Sequence, residues 1–95
     1  GTSAPRKTYS KVSRVARDLA KEYGYKLHRV AVLQAGRMHY AAIYIDPLKP
    51  IEAHDVDVFK DKVSGRLEDV VGPTRVEVMI TARNGLKTSA TAASA

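Results

Sequence analysis

Cysteine is absent from this 95-residue chain, and so is tryptophan. Without thiols there is no disulfide framework and no thiolate metal ligand, and a reducing compartment suits the composition. No apolar run approaches the ~18 residues of a membrane span, and no signal-peptide pattern is present, so the chain is expected to be soluble. No G-x-S-x-G sequence occurs. Ser64-Gly65 falls inside a helical pattern, and the other serines lie in the first helix or the tails. No phosphate-cradling loop is available either, because Gly36, Gly65, Gly72 and Gly85 are isolated. Asp55, Asp57 and Asp61 read as a solvated helix face instead of a catalytic carboxylate pair. Taken together, these absences argue against an enzyme.

What the chain does have is charge. The formal net charge is +6, and it is unevenly placed. Residues 1–37 carry nine Lys/Arg against two acids, residues 38–72 four against seven, and residues 73–95 three against one. The basic character therefore belongs to the N-terminal arm and first helix. Such a segment suits nucleic acid, anionic headgroups or an acidic partner, or simply stays solvated.

One small domain with a modest core fits the length and the 44% hydrophobic content. Residues 1–9 read as a flexible basic arm. Val12, Val15, Ala16, Leu19, Ala20 and Tyr23 recur at helical spacing, with Thr8 or Ser10 available as a cap and Gly24 as a stop. Lys26 to Leu33 and Arg37 to Ile45 read as a hairpin around Gln34-Ala35-Gly36. The second hairpin strand alternates Met38, Tyr40, Ala42 and Tyr44 against His39, Ala41, Ile43 and Ile45. Both sets are fairly apolar, which predicts cover on both faces, by helices on one and a partner on the other.

Pro47 and Pro50 end that strand. A long helix is predicted from Pro50 to about Val71, with Pro50 in its first turn, acids at its start, and a stripe of Val56, Phe59, Val63, Leu67 and Val70. Gly72-Pro73 ends it. A third strand follows over residues 74–82, with Val76, Val78 and Ile80 inward. Residues 84–95 read as a flexible tail. The domain, residues 10–83, is thus α+β in the order αββαβ, with two helices on one face of a three-stranded mixed sheet. The first hairpin strand is expected between the other two, and the last two strands are expected to form a right-handed βαβ unit. The uncovered face, with Tyr40, Tyr44 and Met79, is a predicted contact surface.

Two binding chemistries are in reach. His28 opens the first strand, Asp46 closes the second, and His54 opens the second helix. Histidine and carboxylate are zinc ligands, but no local H-x-x-x-H spacing links them, and the spacing alone favours partly exposed polar residues at element ends. His39 reads as a sheet-face residue. Alternatively, Arg6, Lys7, Lys11, Arg14, Arg17 and Lys21 would serve a small nucleic-acid-binding module through phosphate attraction. Against that, the chain has no RNP-type aromatic strand and no GXXG loop.

The run Leu27-His28-x-Val30-x-Val32-x-x-x-Gly36, then Ile43-x-Ile45-Asp46-Pro47, then Glu52-Ala53-His54, resembles the cytoplasmic C-terminal domain of cation diffusion facilitators, proton-coupled exporters of zinc and related divalent ions. The similarity spans about Val12 to Ala82. It implies an open ferredoxin-like fold and a homodimer whose arms approach when metal binds between them, on the cytoplasmic side of a membrane and below a transmembrane domain. It also implies metal ligands at His28 and His54, with Asp46 or Glu77 as candidate additions. The sequence departs from the family pattern at Tyr44, where many members have histidine, and in the third strand, which lacks a His-x-Asp ending. The resemblance therefore implies a partial site at most.

Overall fold

The computed structural model describes residues 2–81, and the tail expected over residues 84–95 lies outside the described residues. Six elements follow one another: β1 (Thr2–Ser3), α1 (Arg6–Tyr23), β2 (Lys26–Ala35), β3 (Met38–Asp46), α2 (Ala53–Val71) and β4 (Thr74–Ile80). The chain is α+β, with a mixed sheet and two helices, but the sheet has four strands in the order β1-β2-β3-β4, not three.

The extra strand comes from the segment expected to be a loose arm. Thr2 and Ser3 pair antiparallel with Gln34 and Leu33, and the Ala4 N–H donates to the Val32 carbonyl at 3.2 Å. Pro5 then bounds α1 at its N-terminus (φ −56°, ψ 152°), so the helix begins at Arg6 and neither Thr8 nor Ser10 caps it. The Tyr9 N–H reaches the Pro5 carbonyl at 2.9 Å and closes the first turn. No side chain caps this end, and Arg6 and Lys7 put positive charge at the positive pole of the helix. The other end follows expectation. Gly24 adopts a left-handed conformation (φ 79°). Its N–H bonds Lys21 O at 3.1 Å and the Tyr25 N–H bonds Ala20 O at 2.8 Å, the paired bonds of a Schellman stop.

β2 and β3 form an antiparallel hairpin, and β3 pairs parallel with β4. The second hairpin strand, not the first, therefore lies between the other two main strands. Its two edges are used in turn: the tight turn sets β2 on one, and α2 returns the chain to the other. In β3, His39, Ala41, Ile43 and Ile45 are all buried, as the alternation predicts. Val30 and Val32 of β2 and Val76 of β4 extend this face, and α1 and α2 cover it, over β2 and β4 respectively.

From α1 the core takes Val12, Val15, Ala16, Leu19 and Ala20; from α2 it takes Phe59, Val63 and Leu67. The predicted α2 stripe is too long at both ends, because Val56 is only half-buried and Val70 is exposed. α2 also starts later than Pro50. Glu52 is its cap, with its own N–H donating to Asp55 Oδ2 at 2.9 Å and its carboxylate accepting from the Asp55 backbone. This reciprocal box satisfies two end donors, which a proline in the first turn does not.

Gly72, between α2 and β4, sits at φ 98° and ψ −162°, a region essentially restricted to glycine. Nothing lies within 4 Å of a Cβ built there, so Gly72→Ala tests the backbone alone. It is expected to cost about 1–3 kcal/mol in urea denaturation. Gly65→Ala, in an exposed turn of α2 with equal space, is expected to gain about 1 kcal/mol. Equal effects at the two glycines would contradict the Gly72 geometry.

Candidate functional site

The residues singled out as ligands converge on one end of the sheet. Lys26 pairs with Asp46, and Leu27 with Ile45. Between Leu27 and Arg29 the register slips, so His28 is the extra residue of a β-bulge. Asp46 is half-buried, and its Oδ1 accepts the Leu48 N–H at 2.8 Å, tying down the turn that leaves β3. Leu48 follows with φ 68°, an unusual conformation for leucine, and its side chain is 62% exposed. The chain then passes Pro50 and enters α2, where His54 stands exposed in the first turn.

His28, Asp46 and His54 thus share one end of the fold, and both histidines are exposed. Imidazole and carboxylate donors suit zinc. Among the described residues of one chain, however, no group of three or more His, Asp or Glu gathers as it would have to around an ion. Glu77 lies apart, opposite Ala42 in the middle of the sheet. Tyr44 lies beneath Arg29, whose guanidinium carbon is 4.5 Å from the ring centroid. His39 is buried at the opposite end of β3, with Nδ1 3.3 Å from the Pro73 carbonyl oxygen.

Two surface features stand out beyond the joint. On the uncovered sheet face, cross-strand rows read Leu33–Tyr40–Arg75, Ala31–Ala42–Glu77 and Arg29–Tyr44–Met79. Leu33, Tyr40 and Met79 are exposed, and the small alanines leave a shallow depression of about 220 Å³. The expectation of a bare, partly apolar face is met. The second feature is a groove of about 400 Å³ between α1 and the start of β2, lined among others by Tyr9, Ser13, Arg17, Lys21, His28 and Arg29. Of the six basic residues suggested for nucleic acid, only Arg17 and Lys21 reach it. Arg29 borders the groove, but its guanidinium lies over the Tyr44 ring on the uncovered sheet face.

Tyr25 closes the floor of this groove against the core, with ring centroids 5.9 Å from Tyr23 and 5.2 Å from Phe59. Burial pushes its phenol pKa up, and the charges of Asp55 and Tyr23 add to the shift. The folded state therefore holds this proton more tightly than the unfolded chain. That contribution to stability is complete below pH 10 and is lost as the phenol ionises above it.

Compared with protein-family models and with curated proteins, the chain matches none.

Proposed function

We propose that the chain is a regulatory dimerisation domain of the kind it resembles in sequence, the cytoplasmic domain of a divalent-cation exporter, built on an open ferredoxin-like frame. It acts by assembly and not as an enzyme. The observation that supports this reading is that Asp46 at the end of β3, His54 in the first turn of α2 and the bulged His28 of β2 belong to the same end of the fold. One chain offers at most part of a ligand set there, so the remaining ligands come from a second copy. Zinc held between two copies would favour their closed arrangement, by no more than its difference in affinity for the two states. In a full exporter this end would answer to the transmembrane domain.

The bare sheet face supports a homodimer. A twofold contact over Leu33, Tyr40 and Met79 would bury their exposed apolar surface and allow Arg75 of one copy to meet Glu77 of the other, since both line the same depression.

Sedimentation velocity in chelator and then in zinc tests the reading. A dimer that sediments faster in zinc at constant mass is expected. A dimer indifferent to zinc would remove the metal role of His28, His54 and Asp46, and a monomer under both conditions would overturn the proposal. His28→Ala and His54→Ala should each weaken zinc binding by at least about tenfold, since even loss of a group supporting a ligand costs that much. Titration calorimetry on both variants gives the number, and unchanged affinity in both would sink the assignment.

A further inference from the structure

We propose that the outer edge of β4 pairs antiparallel with the same edge of a second copy of the chain, joining the two sheets across a twofold axis at Val76. This contact is separate from the face contact described above and does not rest on it. Three observations carry it.

The first is an asymmetry between the two edges of the sheet. At the β2 edge, Thr2 and Ser3 cover Gln34 and Leu33, and the bulge between Leu27 and Arg29 interrupts the strand further along. Lys26 and Arg29 add charges of one sign there. Cover, bulges and lysines are the usual guards of an edge against pairing with another chain. β4 ends the sheet on the other side and has none of them. It keeps an unbroken register with β3 over Thr74–Ile80 and contains no proline. Among the described residues, no strand pairs with its outer edge.

The second is the direction of the backbone groups. The Pro73 carbonyl accepts the His39 N–H at 2.9 Å, and the Thr81 N–H donates to the Ile45 carbonyl at 2.8 Å. Both residues therefore turn toward β3. Alternate residues of a strand turn to opposite edges, and the register between these two is unbroken. Arg75, Glu77 and Met79 thus face β3, and the N–H and C=O groups of Thr74, Val76 and Val78 face outward. Each is a strong donor or acceptor that a neighbouring strand would satisfy.

The third is charge, which selects the occupant. Arg75 and Glu77 flank Val76, and both are exposed. A twofold axis at Val76 sets Arg75 of each copy directly opposite Glu77 of the other. In the same register Val76 meets Val76 and Thr74 meets Val78, the residues whose backbone groups face outward, so these become the hydrogen-bonded pairs. The Arg75–Glu77 pairs fall at the non-hydrogen-bonded positions, where side chains are closest. Moving the axis to Arg75 or Glu77 would set like charges against each other, and moving it to Val78 would set Met79 and Thr81 opposite the two charges. The sequence of β4 is therefore its own complement in one register. Val78 and Ile80 face inward yet are only half-buried, so a neighbouring strand would also cover apolar surface that α2 leaves open.

The test is a register-specific disulfide. The chain has no cysteine of its own. Arg75→Cys and Glu77→Cys are made in separate chains, mixed in glutathione buffer and read by mass. Both positions are exposed, so the fold should survive. Directly opposed residues at non-hydrogen-bonded positions have Cα atoms about 4.5 Å apart, within reach of a disulfide, whereas diagonal neighbours at about 7–8 Å are beyond it. A mixed disulfide is expected, with little of either symmetric one. Its formation leaves the second pair intact, because Glu77 of one chain still faces Arg75 of the other. In the wild-type chain, amide exchange at Thr74, Val76 and Val78 should slow as concentration rises.

Equal yields of mixed and symmetric disulfides would overturn the register. A chain that stays monomeric, or a dimer that gives no mixed disulfide, would overturn the edge contact. The second of these leaves the face contact standing, since sheets stacked face to face lie about 10 Å apart, too far for this bridge. Slow exchange at every concentration would also overturn the proposal, because the edge would then be occupied within a single chain. None of these outcomes depends on zinc.

Discussion

A Phe59→Ala chain is expected to lose about 3–5 kcal/mol of stability, the usual cost of emptying a buried phenylalanine site. Phe59 has no exposed surface and is among the largest side chains fully inside the core. It packs edge-on against Tyr23 at 5.5 Å and Tyr25 at 5.2 Å, so the variant removes two aromatic pairs as well as apolar area. Neither tyrosine can collapse freely into the gap. Tyr25 follows directly on the Gly24 stop and its N–H is bound to Ala20. Tyr23 ends α1. A chain of this size has roughly 5–14 kcal/mol in all, so the variant should be marginal at room temperature. Phe59→Leu refills much of the volume and should cost clearly less. Thermal and urea denaturation of both variants give the comparison. A loss below about 1 kcal/mol in Phe59→Ala, within the range of an ordinary surface change, would mean that Phe59 does not join the two helices to the sheet.

The reason Phe59 was legible in the sequence is periodicity. It sits in a run with Val63 and Leu67 that holds helical spacing, and all three are buried. The α1 face and the alternation of β3 were legible for the same reason. What escaped has no period to reveal it. Thr2–Ser3 is too short to alternate, and its pairing with Gln34 and Leu33 is set by tertiary proximity. The order of the sheet was misread because hairpin pairing alone leaves both ends of the hairpin open to β4. Packing decides it: β3 presents Ala41, Ile43 and Ile45 inward without a break, and the crossover through α2 returns beside it. The start of α2 moved to Ala53 because the Glu52–Asp55 box outweighs the preference of Pro50. At the candidate site the residue types were legible and their grouping was not. His28, Asp46 and His54 reach one end through the hairpin and the crossover, and the extra residue at His28 that interrupts β2 has no period to announce it.

The largest contrast should come from one strand with its two faces tested separately. Ile43→Asp places a carboxylate at a fully buried position on the inner face of β3. Removing the isoleucine costs about 2–5 kcal/mol. The carboxylate must then stay buried unpaired or take up a proton, at a further cost of several kcal/mol. Together these meet or exceed the whole stability of a domain this size, so no cooperative unfolding transition should remain near neutral pH. Tyr40→Asp, three positions earlier but on the other face, should behave differently. Tyr40 is 41% exposed and lies opposite Leu33 and Arg75. Its loss removes a cross-strand pair worth about 0.2–1 kcal/mol, and the new carboxylate has Arg75 beside it. The fold should survive. If a second copy covers this face, the change will appear in mass instead, because a charge at the centre of an apolar contact opposes burial. Denaturation of Ile43→Asp therefore tests the register of β3, and sedimentation of Tyr40→Asp tests the partner. A folded Ile43→Asp chain would refute the assignment of inner and outer faces. A Tyr40→Asp chain that remains dimeric would keep the fold and place the dimer contact elsewhere.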